Sequence, residues 1–195
     1  MIALIDYGAG NTASVSNVLK DLNVEFILTN EKKEIDRSEK IILPGVGEAS
    51  SAMLRLKELE LIEYLKNTTK PFLGICLGMQ LLCESTEEGN TDCLKLLPIT
   101  VKKITSKNLK IPHMGWNSIK KINDSKLLID VDDNQYFYFA HSFFVPQSKF
   151  TTSVCNYEFN FSASIQLNNF FGVQFHPEKS SMQGVTIIKN FIEKC

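Results

Sequence analysis

The sequence predicts an α/β fold, a doubly wound and mostly parallel sheet with a smaller antiparallel sheet extension. Three observations predict it. The first half alternates near-continuous apolar strands with amphipathic helices, which demands a sheet covered on both faces. Beyond about Thr86 the pattern changes to shorter strands and turns. At 195 residues and 44% hydrophobic, the chain suffices for one sizeable domain with a full core, so 1–195 is read as a single unit.

The elements follow in order. Ile2–Asp6 is a first strand, Asn11–Leu22 a helix, Glu25–Leu28 and Lys40–Leu43 strands, Glu48–Leu65 a long helix, Phe72–Ile75 a buried strand and Leu77–Glu84 a helix. Strands are then expected at Thr100–Ile104, Lys110–Ile111, Ser118–Ile122, Tyr136–Ala140, Thr151–Asn156, Ser162–Gln166 and Phe170–Gln174. A last helix closes the chain with Val185, Ile188 and Ile192 on one face. No internal repeat or low-complexity linker interrupts this order.

Functional groups in a parallel sheet gather at the carboxyl ends of the strands. That rule brings Asp6-Tyr7-Gly8-Ala9-Gly10-Asn11, Pro44-Gly45-Val46-Gly47 and Cys76 to one edge, although they are far apart in the chain. Cys76 sits where strand becomes helix, flanked symmetrically by Gly74 and Gly78, the arrangement of a nucleophile on a strained elbow. The helix N-terminus there favours a thiolate. His176 follows the apolar run Phe170–Phe175 and emerges at a strand end as a base, with Glu178 placed to hold its imidazole in one tautomer. The glycines of Gly45-Val46-Gly47 let backbone N–H groups approach a ligand as an oxyanion hole. The Asp6–Asn11 segment lacks the spacing of both common phosphate loops.

Composition excludes several classes. Lys+Arg 21 against Asp+Glu 22 leaves a net charge of −1, so no basic field draws nucleic acid or an anionic membrane. The apolar runs are strand-sized, and Met1–Ile5 is followed at once by Asp6, so it reads as a strand and not a signal peptide. Cys76, Cys83, Cys93, Cys155 and Cys195, odd in number and irregular in spacing, describe no disulfide framework and fit a cytoplasmic protein. His113, His141 and His176 are scattered, so neither a metal nor a cofactor is expected. Cys83 is read on the same helix as Cys76, packed in the core. Asp130–Asn134 is read as a solvated turn without calcium-loop spacing.

Gly74-Ile75-Cys76-Leu77-Gly78-Met79-Gln80, the Pro-Gly-Val-Gly strand end and Phe175-His176-Pro177-Glu178 resemble the class I, triad-type glutamine amidotransferases. Within them, Asp6–Asn11, Pro112-His113-Met114-Gly115-Trp116-Asn117 and Glu178-Lys179-Ser180 resemble the glutaminase subunits of imidazole glycerol phosphate synthases, over essentially the whole chain. The resemblance implies a flavodoxin-like sheet and a Cys76–His176–Glu178 triad hydrolysing glutamine. It implies oxyanion donors at Leu77 and around Gly45, Val46 and Gly47, with Gln80, Glu88 and the backbone of His141, Ser142 and Phe143 near the bound glutamine. It also implies a heterodimer with a (β/α)₈ cyclase, met by Asn11, His113, Trp116, Asn117 and Lys179, to which ammonia passes through a channel to form imidazole glycerol phosphate and aminoimidazole carboxamide ribonucleotide. The glycines around Val46 would let the oxyanion peptide turn until partner and nucleotide bind. For Trp116, sequence physics alone also fits a core anchor. The same chemistry would serve a paralogue feeding another synthase, for example a surface-sugar amidotransferase.

Overall fold

Residues 1–8 and 10–195 are described in this computed structural model, and Ala9 of the Asp6–Asn11 segment lies outside them. Nine strands form one mixed sheet in the order β2-β1-β3-β4-β13-β12-β11-β8-β9. Its parallel half is β1 (Ile2–Ile5), β2 (Phe26–Thr29), β3 (Lys40–Leu43), β4 (Phe72–Ile75) and β13 (Phe170–Val173). Its antiparallel half is β12 (Phe159–Leu167), β11 (Thr151–Tyr157), β8 (His113–Lys121) and β9 (Tyr136–His141). The antiparallel extension is thus continuous with the parallel half. A second sheet, in the order β10-β7-β5-β6, is built from β5 (Cys83–Thr86), β6 (Thr91–Asp92), β7 (Leu97–Lys103) and β10 (Phe143–Phe144).

Because side chains alternate along a strand, each parallel strand feeds two cores. Ala3, Ile5, Ile41, Leu43 and Phe72 face one side, with residues of α2 (Lys32–Arg37), α3 (Ala49–Glu58), α4 (Ile62–Lys66) and α5 (Leu77–Leu81). Ile2, Leu4, Ile42, Leu73 and Ile75 face the other, against α1 (Thr12–Asp21) and α6 (Ser181–Lys194). Ile187, Ile188 and Phe191 of α6 are fully buried, each contributing about 1.5–3 kcal/mol. The buried face of α6 is therefore centred there, with Val185 and Ile192 of the predicted stripe at its margins.

Two predicted helices are shorter than expected. Glu48–Leu65 divides into α3 and α4, because Glu60 at φ 54° closes α3 with Glu60 N–H donating to Lys57 O and Leu61 N–H to Leu56 O. Leu77–Glu84 ends at Leu81, and Cys83 begins β5, buried as expected but in a strand of the second sheet. Lys110–Ile111 is not a strand, whereas the predicted Ser118–Ile122 strand is largely the end of the nine-residue β8.

The register sets the catalytic edge. Leu43 pairs with Gly74, and Val173 with Ile75, so the chain leaves β3, β4 and β13 at the same height. Pro44–Gly47, Cys76 and His176 converge there.

Candidate active site

Cys76 adopts φ 53°, ψ −107°, a left-handed-region strain that a non-glycine residue tolerates only when the surroundings fix it. Its N–H donates to Val173 O at 2.8 Å, and its own carbonyl accepts from Met79 N–H and Gln80 N–H, the first bonds of α5. The flanking glycines are there for close approach. A Cβ on Gly74 would lie 2.5 Å from Gly78 O, and one on Gly78 would lie 2.0 Å from Leu43 O. Gly78→Ala must therefore push α5 off β3, and a loss of at least about 3 kcal/mol is expected in the urea midpoint together with loss of catalysis.

His176 is anchored by its backbone, with N–H donating to Tyr138 O at 2.8 Å and carbonyl accepting from Ser180 Oγ at 2.6 Å. Its Nδ1 meets Glu178 Oε1 at 2.8 Å, and its ring lines the same cavity as Cys76. Burial alone would lower the pKa of this imidazole, but Cys76 and Glu178 beside it reverse that and push it up to about 10. Glu178 is held in turn by Asn11, whose Nδ2 lies 3.5 Å from Oε1 and whose Oδ1 caps α1 at Ser14 N–H.

Val46, Gly47, Cys76, Leu77 and His176 line one cavity of about 330 Å³ together with Gln80, Glu88, His141, Ser142 and Phe143. Pro112, Met114 and Lys179 form its mouth. Gly45 does not line it; a Cβ there would lie 2.6 Å from Gly78 N, so this glycine packs the Pro44–Gly47 segment onto the elbow. Gly47, at φ 98° with open space around it, leaves that segment free to turn. Glu88 Oε2 accepts from Ala49 N–H at 2.8 Å, tying the cavity wall to the helix that follows Gly47, and burial raises its carboxyl despite that bond. A larger, open depression of about 710 Å³ near Ser125 is lined by neither cysteine nor histidine and shares no residue with the cavity at Cys76.

Tyr7, from the segment weighed as a phosphate loop, instead donates its buried hydroxyl to Pro44 O at 2.8 Å. Burial first, and the nearby Cys76 second, keep its phenol well above the ordinary range and hence a neutral donor. Tyr7→Phe should cost about 1 kcal/mol in thermal unfolding, while kcat falls more steeply because Pro44 begins the strand end that carries Val46 and Gly47 in the cavity wall. An unchanged kcat would separate Tyr7 from that strand.

Of the residues read as partner-facing, Trp116 is 52% exposed, which discards the core-anchor alternative, and Lys179 is exposed with its ammonium 5.9 Å from the Tyr138 ring. Asn11 and Asn117 are half-buried. His113 lies beneath that face, not on it, 3% exposed and stacked on Tyr157, because its ring nitrogens are committed to His141 and Asn117. Sequence reasoning missed Gln174, fully buried, with Nε2 3.7 Å from Cys76 Sγ. The one signal for it was a single amide in an apolar strand, two residues before His176 and so on the same side. Among the described residues, no cluster of three or more His, Cys, Asp or Glu is arranged to hold a metal.

The profile of the family described as "Glutamine amidotransferase class-I" matches residues 3–195. The chain belongs to the class I glutamine amidotransferase family. Among relatives of this amidotransferase, the imidazole glycerol phosphate synthase subunit HisH of Bacteroides fragilis is 45% identical, covering 98% of each chain. That of Haemophilus influenzae is 42% identical over 99% of this chain and 97% of its own. Two solved structures share the amidotransferase fold. One, described as a glutamine amidotransferase, has TM-score 0.76 and 13% identity, covering 99% of this chain and 98% of its own. The other, PurLQS from Thermotoga maritima, has TM-score 0.70 and 18% identity, with 98% of this chain and 96% of the matched chain covered.

Proposed function

We propose that this chain, a single class I amidotransferase domain over 1–195, is the glutaminase subunit of an imidazole glycerol phosphate synthase in histidine biosynthesis. The observation that carries the chemistry is the His176–Glu178 pair at 2.8 Å, sharing a cavity of glutamine scale with a cysteine on a strained elbow. Full-length relatives bearing that subunit's name support the pathway.

In this reading Cys76 Sγ attacks the side-chain amide carbon of glutamine, and the developing oxyanion is held by the Leu77 amide and the backbone at Val46 and Gly47, with Gly45 packing that segment in place. His176, protonated at neutral pH, gives its proton to the departing nitrogen, and ammonia leaves with a thioester on Cys76. Acylation removes the negative charge on sulfur, one of the two supports that hold the imidazolium. The same ring then becomes the better base, takes a proton from water and releases glutamate. Glu88 and the backbone of Ser142 and Phe143 receive the amino-acid head of the substrate. Gln80 helps by positioning, since its Nε2 donates to Phe143 O at 2.9 Å and to Gln174 Oε1 at 3.0 Å.

The ammonia passes through a channel to a (β/α)₈ cyclase in a heterodimer. Met114 and Lys179, exposed and lining the cavity, and the exposed Trp116 near Met114 in sequence on β8 suit that contact, with Asn11 and Asn117 half-buried. The five free cysteines support a cytoplasmic setting, and among the described residues no helix is long and apolar enough to cross a membrane. The deciding experiment is glutamate release from glutamine by the chain alone and with a histidine-pathway cyclase plus its nucleotide, with Cys76→Ala as control. Strong stimulation absent from the variant is expected. Cys76-dependent activity indifferent to that cyclase would reassign the partner, and no activity would remove the enzymatic reading.

A further inference from the structure

Behind the nucleophile runs a line of buried hydrogen bonds with only one consistent arrangement of donors and acceptors. Phe143 O can only accept, so His141 Nδ1 at 2.8 Å carries a proton and His141 Nε2 accepts from His113 Nδ1 at 2.9 Å. His113 Nε2 then accepts from Asn117 Nδ2 at 3.3 Å. Asn117 confirms the direction independently, because its Oδ1 takes Ser118 N–H at 2.8 Å and only its nitrogen is left for the ring.

The same Phe143 carbonyl fixes the other branch. Gln80 must present its nitrogen to that oxygen at 2.9 Å, and its second N–H points to Gln174 at 3.0 Å. Gln174 must therefore offer its oxygen to Gln80, which turns its nitrogen to Cys76 Sγ at 3.7 Å. A flipped Gln174 would set two NH₂ groups against each other. With the residue fully buried, no water relieves that clash.

We propose that Gln174 is a further catalytic residue, donating its Nε2–H to the Cys76 sulfur and holding the thiolate in line for attack. Gln174 follows β13 directly and His176 comes two residues later, so the amide N–H reaches the sulfur from the same strand end that carries the imidazole. A hydrogen bond to a charged acceptor is worth roughly twice one between neutral groups, and the donor is present before substrate arrives. The inference rests on Cys76 being the nucleophile and adds a residue to that site.

The test combines thiol reactivity, kinetics and spectroscopy. Gln174→Met conserves volume and removes the donor. Without glutamine, iodoacetamide alkylation of Cys76 at pH 7, located by mass spectrometry, should slow about tenfold, and kcat should fall about tenfold with a smaller change in KM. If Gln174 only shapes the pocket, KM and melting temperature change while alkylation stays at the wild-type rate, and the proposal is overturned. Should Gln174→Met not fold, the side-chain amide NMR signals of Gln174 decide on folded protein. One N–H should shift and exchange faster in Cys76→Ala, and identical signals in both proteins would overturn the donor role. A wild-type chain without Cys76-dependent glutamine hydrolysis would sink the glutaminase reading instead, so the two failures are distinguishable.

Discussion

His176→Gln should lower glutamine turnover about 10⁴-fold, and Glu178→Gln about 10³-fold, with Cys76 still present and the fold retained. The first removes both the acid for ammonia and the base for water. The second acts through the first. Glu178 has a side chain 1% exposed, and among the described residues its Oε2 has no hydrogen-bond partner. A buried carboxylate so poorly satisfied is tolerable only beside a positive charge, which His176 supplies by keeping its proton up to a pH of about 10. With an amide at 178, that support is halved and the imidazole drops back toward its ordinary value of 6.5. The sign follows directly: a proton lost at lower pH moves the alkaline limb of the rate profile downward. Initial rates of glutamate release from pH 6 to pH 10 check it. An alkaline limb unmoved in Glu178→Gln would mean that the carboxylate is not what holds the proton.

The elbow was legible in the sequence because its requirements are local. Two glycines around a cysteine between an apolar strand and a helix fix close approach whatever the rest of the fold does, and the carboxyl-edge rule then gathers Pro44–Gly47 and His176. Where local signal was ambiguous, tertiary context decided. Leu81-Leu82-Cys83 is apolar enough for helix or strand, and pairing of Cys83 with Leu97 in the second sheet chose strand. Glu60 breaks a helix from a left-handed conformation that glutamate does not advertise. Only the end of β8 is readable as a strand, and the pairing of His113–Ser118 with β9 extends it back through Gly115 at φ 134°. The amide line through Gln80, Gln174 and Phe143 was invisible, since it joins residues of three elements and shows itself only by who faces whom.

Acidification should destabilise this protein through the pair His113–His141. These rings look like scattered histidines in the sequence and become one buried unit in the fold, 3% and 5% exposed, with nitrogens at 2.9 Å. Burial lowers His113 to about 4. It also lowers His141 to about 3, where the neighbouring His113 and His176 add to burial and outweigh the bond to Phe143 O. Both are neutral when folded and bind protons readily when unfolded, so below pH 6.5 the unfolded chain carries about two more protons than the native one. Stability must then fall with falling pH across the window from 6.5 to about 4, on the order of 5 kcal/mol in all. His176 does not offset this, because its raised value makes its contribution complete below 6.5 and lost only as pH rises toward about 10. Urea midpoints between pH 7 and pH 4 measure the slope, and His113→Phe, which keeps the stacking on Phe139 and Tyr157, should remove about half of it. A slope equal to that of the wild-type protein would mean that His113 already carries a charge in the native state, which Asn117 opposes by turning its Nδ2 to His113 Nε2.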